Sequence, residues 1–145
     1  MSTPRIILAI TTFTILSGCS SVRVVAGGPI ESPYFLVLRE DVLLTSFAIA
    51  CEVKDDEWRT HWKIVGETAS GAIDFGVVPE GMRAEGGFVP LTSMGPVMCR
   101  VEVEARKKDD RRPLRDESFF VLLDTYIQFC SSERACSRAV IETIT

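Results

Sequence analysis

Along most of the chain, apolar and polar residues alternate with a period of two. Phe47, Ile49, Cys51 and Val53 fall on one side of an extended segment, with Ser46, Ala48, Ala50 and Glu52 on the other. Trp58, Thr60, Trp62 and Ile64 share a side, opposite Arg59, His61 and Lys63. Val97, Cys99, Val101 and Val103 stand against Met98, Arg100, Glu102 and Glu104. Successive side chains of a strand point to opposite faces, so each segment reads as a half-buried strand. Turn-forming residues separate them: Lys54-Asp55-Asp56, the stretch 66–71, Pro79-Glu80-Gly81, Gly86-Gly87 and Gly95-Pro96. Many short strands with frequent turns predict an all-β, mainly antiparallel fold, a single β-sandwich over residues 34–145.

Three stretches interrupt the pattern. Residues 107–117 (KKDDRRPLRDE) are densely charged in both signs and contain Pro113. They read as a solvated hairpin loop between the strand that ends near Arg106 and the next strand, with partner binding at its tip as the functional alternative. Residues 118–129 (SFFVLLDTYIQF) read as one long final strand, buried on both faces near its start. In the tail, Ser132 is placed to cap a short C-terminal helix carrying Arg134, Ala135, Arg138 and Ala139, while residues 139–145 also alternate like a strand.

The amino terminus differs in kind. A weakly basic start with Arg5 precedes an apolar run at residues 6–16. Such a run, at ~1.5 Å per residue, covers only about half of a ~30 Å hydrocarbon core. It reads as the helix of a signal peptide spanning residues 1–18. Leu16, Ser17, Gly18 and Cys19 follow. This LSGC sequence resembles the lipobox of bacterial lipoprotein precursors. The resemblance implies cleavage before Cys19, lipid on its thiol and freed amine, and attachment to a membrane. Ser20 directly after the cysteine implies the outer membrane in lipoproteins of the enterobacterial type. Residues 20–33 carry Gly27, Gly28, Pro29 and Pro33 and no helical period, so 19–33 is expected to be a lipidated cysteine and flexible tether.

Apart from Cys19, four cysteines remain: Cys51, Cys99, Cys130 and Cys136. An even set in an exported chain implies two disulfides, with three possible pairings. Cys51–Cys99 and Cys130–Cys136 are favoured: the first joins two strands that both read as buried, and the second closes the short loop SSERA. Cys51, Trp62 eleven residues later and Cys99 also resemble the immunoglobulin-like sandwich, and HWKIVGE resembles the strand and turn after its tryptophan. That resemblance implies that the cysteines bridge two sheets. The chain departs from it at Val97, where a tyrosine is expected, and at Ser93, where an aspartate is expected. Another sandwich, or a transthyretin-like one, is the competing arrangement.

Composition narrows the function. The 145 residues carry a net charge of -4. Such a chain gains little from counterion release, so no nucleic-acid partner is expected. With His61 the only histidine and no CxxC pair, neither a metal nor another cofactor is expected. His61 falls on the polar side of its strand, an exposed position rather than a catalytic one. Asp55, Asp56 and Glu57 form an acidic turn without a second acidic cluster to complete a calcium loop. Trp58 and Trp62 read as core, with a sugar-binding surface as the alternative. A carboxylate pair assembled by folding is the one hydrolytic route left open. The sequence therefore points to a non-enzymatic binding or assembly module of the cell envelope, anchored through Cys19, with an envelope protein as partner. A small inhibitor of a lysozyme-type enzyme, or a module for an envelope glycan, is the alternative.

Overall fold

The protein is described from a computed structural model covering residues 22–54, 56–91 and 96–144. Cys19 and the stretch 1–18 lie outside the described residues. Nine strands and one helix follow in order: β1 (Val24–Gly27), β2 (Tyr34–Val37), β3 (Val42–Lys54), β4 (Glu57–Ala69), β5 (Ala72–Asp74), β6 (Met82–Ala84), β7 (Val97–Lys107), β8 (Asp110–Leu122), β9 (Ile127–Cys130) and α1 (Glu133–Ile144). They build a three-stranded sheet, β1-β2-β5, and a six-stranded sheet, β6-β4-β3-β7-β8-β9. Every pairing is antiparallel. The expected all-β sandwich with a short C-terminal helix is the fold observed.

The core fills the space between the sheets. Val24, Phe35, Val37 and Ile73 come from the small sheet, and Leu44, Phe47, Ile49, Trp62, Val101 and Phe120 from the large one. Aromatic rings link the two layers: Phe35 meets Phe47 at 5.4 Å and Phe120 at 5.7 Å between centroids, and Trp62 meets Phe75 at 5.5 Å. Edge-on and tilted rings are the favoured geometry for such pairs. Backbone bonds from Ile127 N to Gly28 O and from Ile30 N to Thr125 O tie β1 to the β8–β9 corner.

Several expectations are corrected. The described part of the expected tether belongs to the domain: β1 pairs with β2, and Val22, Val24 and Ile30 are buried. Burying three aliphatic side chains stabilises by roughly 1.5–3 kcal/mol each, enough to hold the segment down. The charged stretch 107–117 is mostly strand. Lys107 pairs with Asp110, leaving a two-residue turn, and the hairpin runs on through Glu104 opposite Arg115. Pro113 is tolerated because β9 pairs with β8 only from Phe119 onward, so β8 is an edge there. The expected single strand over 118–129 is two strands, β8 and β9, turned back at residues 123–126, where Leu123 N bonds to Tyr126 O. Its start is buried on both faces as expected, with Phe120 in the main core and Val121 in a second cluster.

Gly66, expected in a turn, lies inside β4 at φ 138°. A Cβ there would stand 2.3 Å from the carbonyl oxygen of Gly81, whose own φ is 92°. Only glycine permits both the backbone angle and the close crossing.

Both favoured disulfides are formed, Cys51–Cys99 and Cys130–Cys136. The first is not the bridge between sheets that the immunoglobulin-like resemblance implied. Cys51 and Cys99 are register partners on neighbouring strands of one sheet, with Cα atoms 4.0 Å apart. The meandering order of the large sheet likewise differs from the immunoglobulin arrangement.

Candidate functional site: the open face of the larger sheet

Two bulges decide which side chains reach the outer face of the large sheet. In β3, Leu44 pairs with Ala105 and Ser46 with Glu104, so Thr45 is an extra residue. In β4, Trp62 pairs with Ile49 and Thr60 with Ala50, so His61 is extra. Each extra residue inverts the alternation beyond it. Val42 and Leu44 therefore face inward together with Phe47, Ile49 and Cys51.

The bulge at His61 overturns two expectations. Trp58 and Trp62 do not share a face: Trp62 lies in the main core, whereas Trp58 packs on the outer cluster with Met98, Val121, Cys130 and Cys136. The guanidinium of Arg100 lies 4.5 Å from the Trp58 ring centroid. His61 is not exposed but 4% accessible. Its Nδ1 meets the Val89 carbonyl at 3.0 Å, and its own carbonyl accepts from Val89 N at 2.8 Å. The ring is thus a structural clamp on the segment after β6.

α1 covers one end of the outer face. Ser132 Oγ accepts from Ala135 N at 3.1 Å, the capping bond that starts the helix. Ala135, Cys136, Ala139 and Val140 form its sheet-facing stripe, and the Cys130–Cys136 disulfide fastens it to β9. Among the described residues, no helix is long and apolar enough to cross a membrane.

The rest of the outer face is open. A depression of about 590 Å³ is lined by Ser46 and Ala48 of β3, Thr60 and Lys63 of β4, Glu102 and Glu104 of β7, and Arg115 and Glu117 of β8. Small side chains make the floor, and long charged ones make the rim. Arg115 pairs with Glu104 at 2.9 Å, Arg100 with Glu102 at 3.2 Å and Lys63 with Glu85 at 3.3 Å. The Arg100 Nε is buried and makes no well-directed hydrogen bond, so its contact with Glu102 is Coulombic.

Glu102 and Glu117 are direct register partners. Folding therefore does juxtapose two carboxylates, as the hydrolytic route requires. Both side chains are exposed, however, and Glu102 is engaged by Arg100. A general acid needs the desolvation that this face does not give. Among the described residues no cluster of His, Cys, Asp and Glu is arranged to hold a metal ion. The small-and-polar face of β3 was legible in the alternation of Ser46, Ala48 and Ala50. The Thr60–Lys63 wall was not, because it depends on the bulge. Comparisons with protein-family models, with curated proteins and with solved structures give no match for this chain.

Proposed function

We propose that the protein is a bacterial envelope lipoprotein, anchored through lipid on Cys19, whose sandwich is a non-enzymatic binding or assembly module. The observation that carries this reading is the cysteine accounting. Four of the five cysteines are consumed in two disulfides of one domain, and the fifth is Cys19, set off from the apolar run by the small residues Ser17 and Gly18. Disulfides persist in an oxidising compartment, which agrees with export. Ser20 supports the outer membrane as the destination. The open face, with a flat small-residue floor and a mixed-charge rim, is the surface assigned to an envelope protein partner.

Two measurements test this. Mass spectrometry of protein purified from membranes is expected to find an acylated amino-terminal Cys19; an unmodified terminus, or retention of residues 1–18, overturns the anchor. A photo-crosslinking residue at Ala48 is expected to capture one envelope protein in living cells. If it captures none, while a soluble glycan fragment or a lysozyme-type enzyme binds the purified domain, the ligand-binding or inhibitor reading replaces the assembly reading. That second reading draws on the 590 Å³ depression, since residues 107–117 are mostly paired strand around a two-residue turn and offer no long exposed loop. The hydrolytic reading draws on the Glu102–Glu117 pair. Turnover of a glycan substrate that disappears in Glu117→Gln would establish it.

A further inference from the structure

The chain enters the sandwich at one end, and that end is built differently from the other. Val22 is fully buried and packs in the same cluster as Val42 and Leu44. Arg23 O accepts from Leu38 N at 2.9 Å, which places the β2–β3 connection beside the entry point. Lys108 N bonds to Asp41 O at 3.1 Å, and Val42 pairs with Lys107, which brings the β7–β8 turn to the same end. Arg23, Arg39, Lys107, Lys108 and Arg112 therefore gather there with Glu40, Asp41, Asp109 and Asp110. Arg39 grips Asp41 through two bonds of 2.6 and 3.2 Å, and Arg112 grips Asp110 at 2.8 and 3.1 Å. Leu38 stands among these charges 52% exposed.

We infer that this end, formed by Arg23, residues 38–41 and the 107–112 hairpin, is a docking surface for the zwitterionic phospholipid headgroups of the membrane that holds Cys19. The inference rests on the lipoprotein reading and adds an orientation to it. Its first support is length. Only Ser20 and Ser21 separate Cys19 from the buried Val22, so the three steps between them reach about 10 Å at ~3.3–3.6 Å per residue. The headgroup layer of one leaflet is about 5–7 Å thick, so even a fully extended tether leaves the entry end within about 5 Å of its outer edge. The second support is charge. Cationic and anionic residues are interspersed at this end, six against four over Arg23, 38–41 and 107–112, so it offers partners to headgroup phosphates and amines with only a small positive excess, not the strong one that would demand anionic lipid. The exposed Leu38 reaches toward the acyl boundary from the middle of that pattern.

The test uses the lipoprotein purified from membranes and reconstituted into phosphatidylethanolamine–phosphatidylcholine nanodiscs carrying a headgroup spin label. Amide signals of residues 38–41 and 107–110 are expected to lose at least about half their intensity. Those of Asp56 and Thr125 should keep theirs, because β3 alone separates the ends by about 40 Å at ~3.3 Å per residue. Equal loss at both ends, or no loss at either, overturns the inference. Inserting about ten Gly/Ser residues between Ser21 and Val22 is expected to abolish the selective loss; its persistence overturns the claim that the short tether orients the domain. The mass of the amino terminus reports the anchor independently. If Cys19 proves unlipidated, the anchor reading fails. The orientation is then still measured, with a maleimide-linked diacyl lipid placed on the Cys19 thiol of the full chain.

Discussion

The two faces of the six-stranded sheet share one backbone but are closed in different ways. The inner face is covered by a whole second sheet, and its core holds side chains from eight strands together with the Cys51–Cys99 disulfide. The outer face is covered over one end only, by a twelve-residue helix above a small cluster with its own disulfide, Cys130–Cys136. A helix of that length is marginal by itself, so it needs its apolar stripe and its covalent link to stay in place. On the inner face packing makes the structure and the disulfide adds to it. On the outer face the disulfide makes the packing possible.

The two tryptophans give the largest test of this contrast. Trp62→Ala removes a ring 2% exposed from the inner core and is expected to destabilise the domain by about 3–5 kcal/mol. Trp58→Ala removes a half-buried ring that packs on the outer cluster and under Arg100, for about 1–2 kcal/mol. Denaturant unfolding of both variants measures the difference. Equal losses would mean that the outer cluster is as much a core as the inner one.

The disulfides come next. Cys51→Ala with Cys99→Ala opens a loop of 48 residues, for a loss of about 4 kcal/mol on the chain-entropy estimate, spread over one cooperative transition. Cys130→Ala with Cys136→Ala opens a loop of only 6, for about 2 kcal/mol. Its loss should be local. Hydrogen exchange is expected to speed up in α1 while β3 and β7 keep their protection. Uniform acceleration across the sheet would erase the distinction between the two clusters.

How much of this was legible depended on whether local pattern or register decided the outcome. The strands around Phe47–Cys51 and Val97–Val103 declare their inner face by alternation alone. The orientation of Trp58 and His61 does not, because a single extra residue inverts the alternation and carries no composition of its own. β1 was hidden by the turn signals Gly27, Gly28 and Pro29, although Val22 and Val24 flanking Arg23 held a period-two signal. That the 107–117 hairpin is mostly strand was hidden by its charges. Side chains on an uncovered face need not be apolar, and there the strand is held by cross-strand pairs such as Glu104–Arg115. Of the candidate site, the small floor at Ser46 and Ala48 could be read directly. The carboxylates opposite one another could not, since only register brings Glu102 to Glu117.

That carboxylate pair gives a smaller test, on the open face itself. Like charges directly opposite on a sheet are destabilising, and opposite charges contribute roughly 0.2–1 kcal/mol. Glu117→Arg is therefore expected to raise stability by about 0.5–1 kcal/mol, by removing the repulsion and pairing with Glu102. The same substitution on a face that binds a partner should weaken crosslinking at Ala48. Higher stability with unchanged crosslinking would move the partner surface elsewhere.

The smallest expected effect lies at the entry end, where neither cluster reaches. The hydrogen bond from Arg39 holds the Asp41 carboxyl below its ordinary 3.8. The backbone and side-chain bonds from Arg112 hold Asp110 below the same value. A carboxyl lowered on folding stabilises fully above its unfolded value, and that contribution is lost as pH falls through the lowered one. The ion pairs at this end are thus complete at neutral pH and begin to open only below about 4. Asp41 is exposed and Asp110 is only half-buried at a hairpin turn, so the stability of the whole domain should hardly change. What should change is local: side-chain carboxyl shifts of Asp41 and Asp110 are expected to titrate with midpoints under 3.8, and Arg39→Ala should return Asp41 toward that value while leaving Asp110 where it was. Movement of both midpoints in that variant would mean that the β2–β3 connection and the hairpin titrate as one network, joined through Lys107, which attracts both carboxylates.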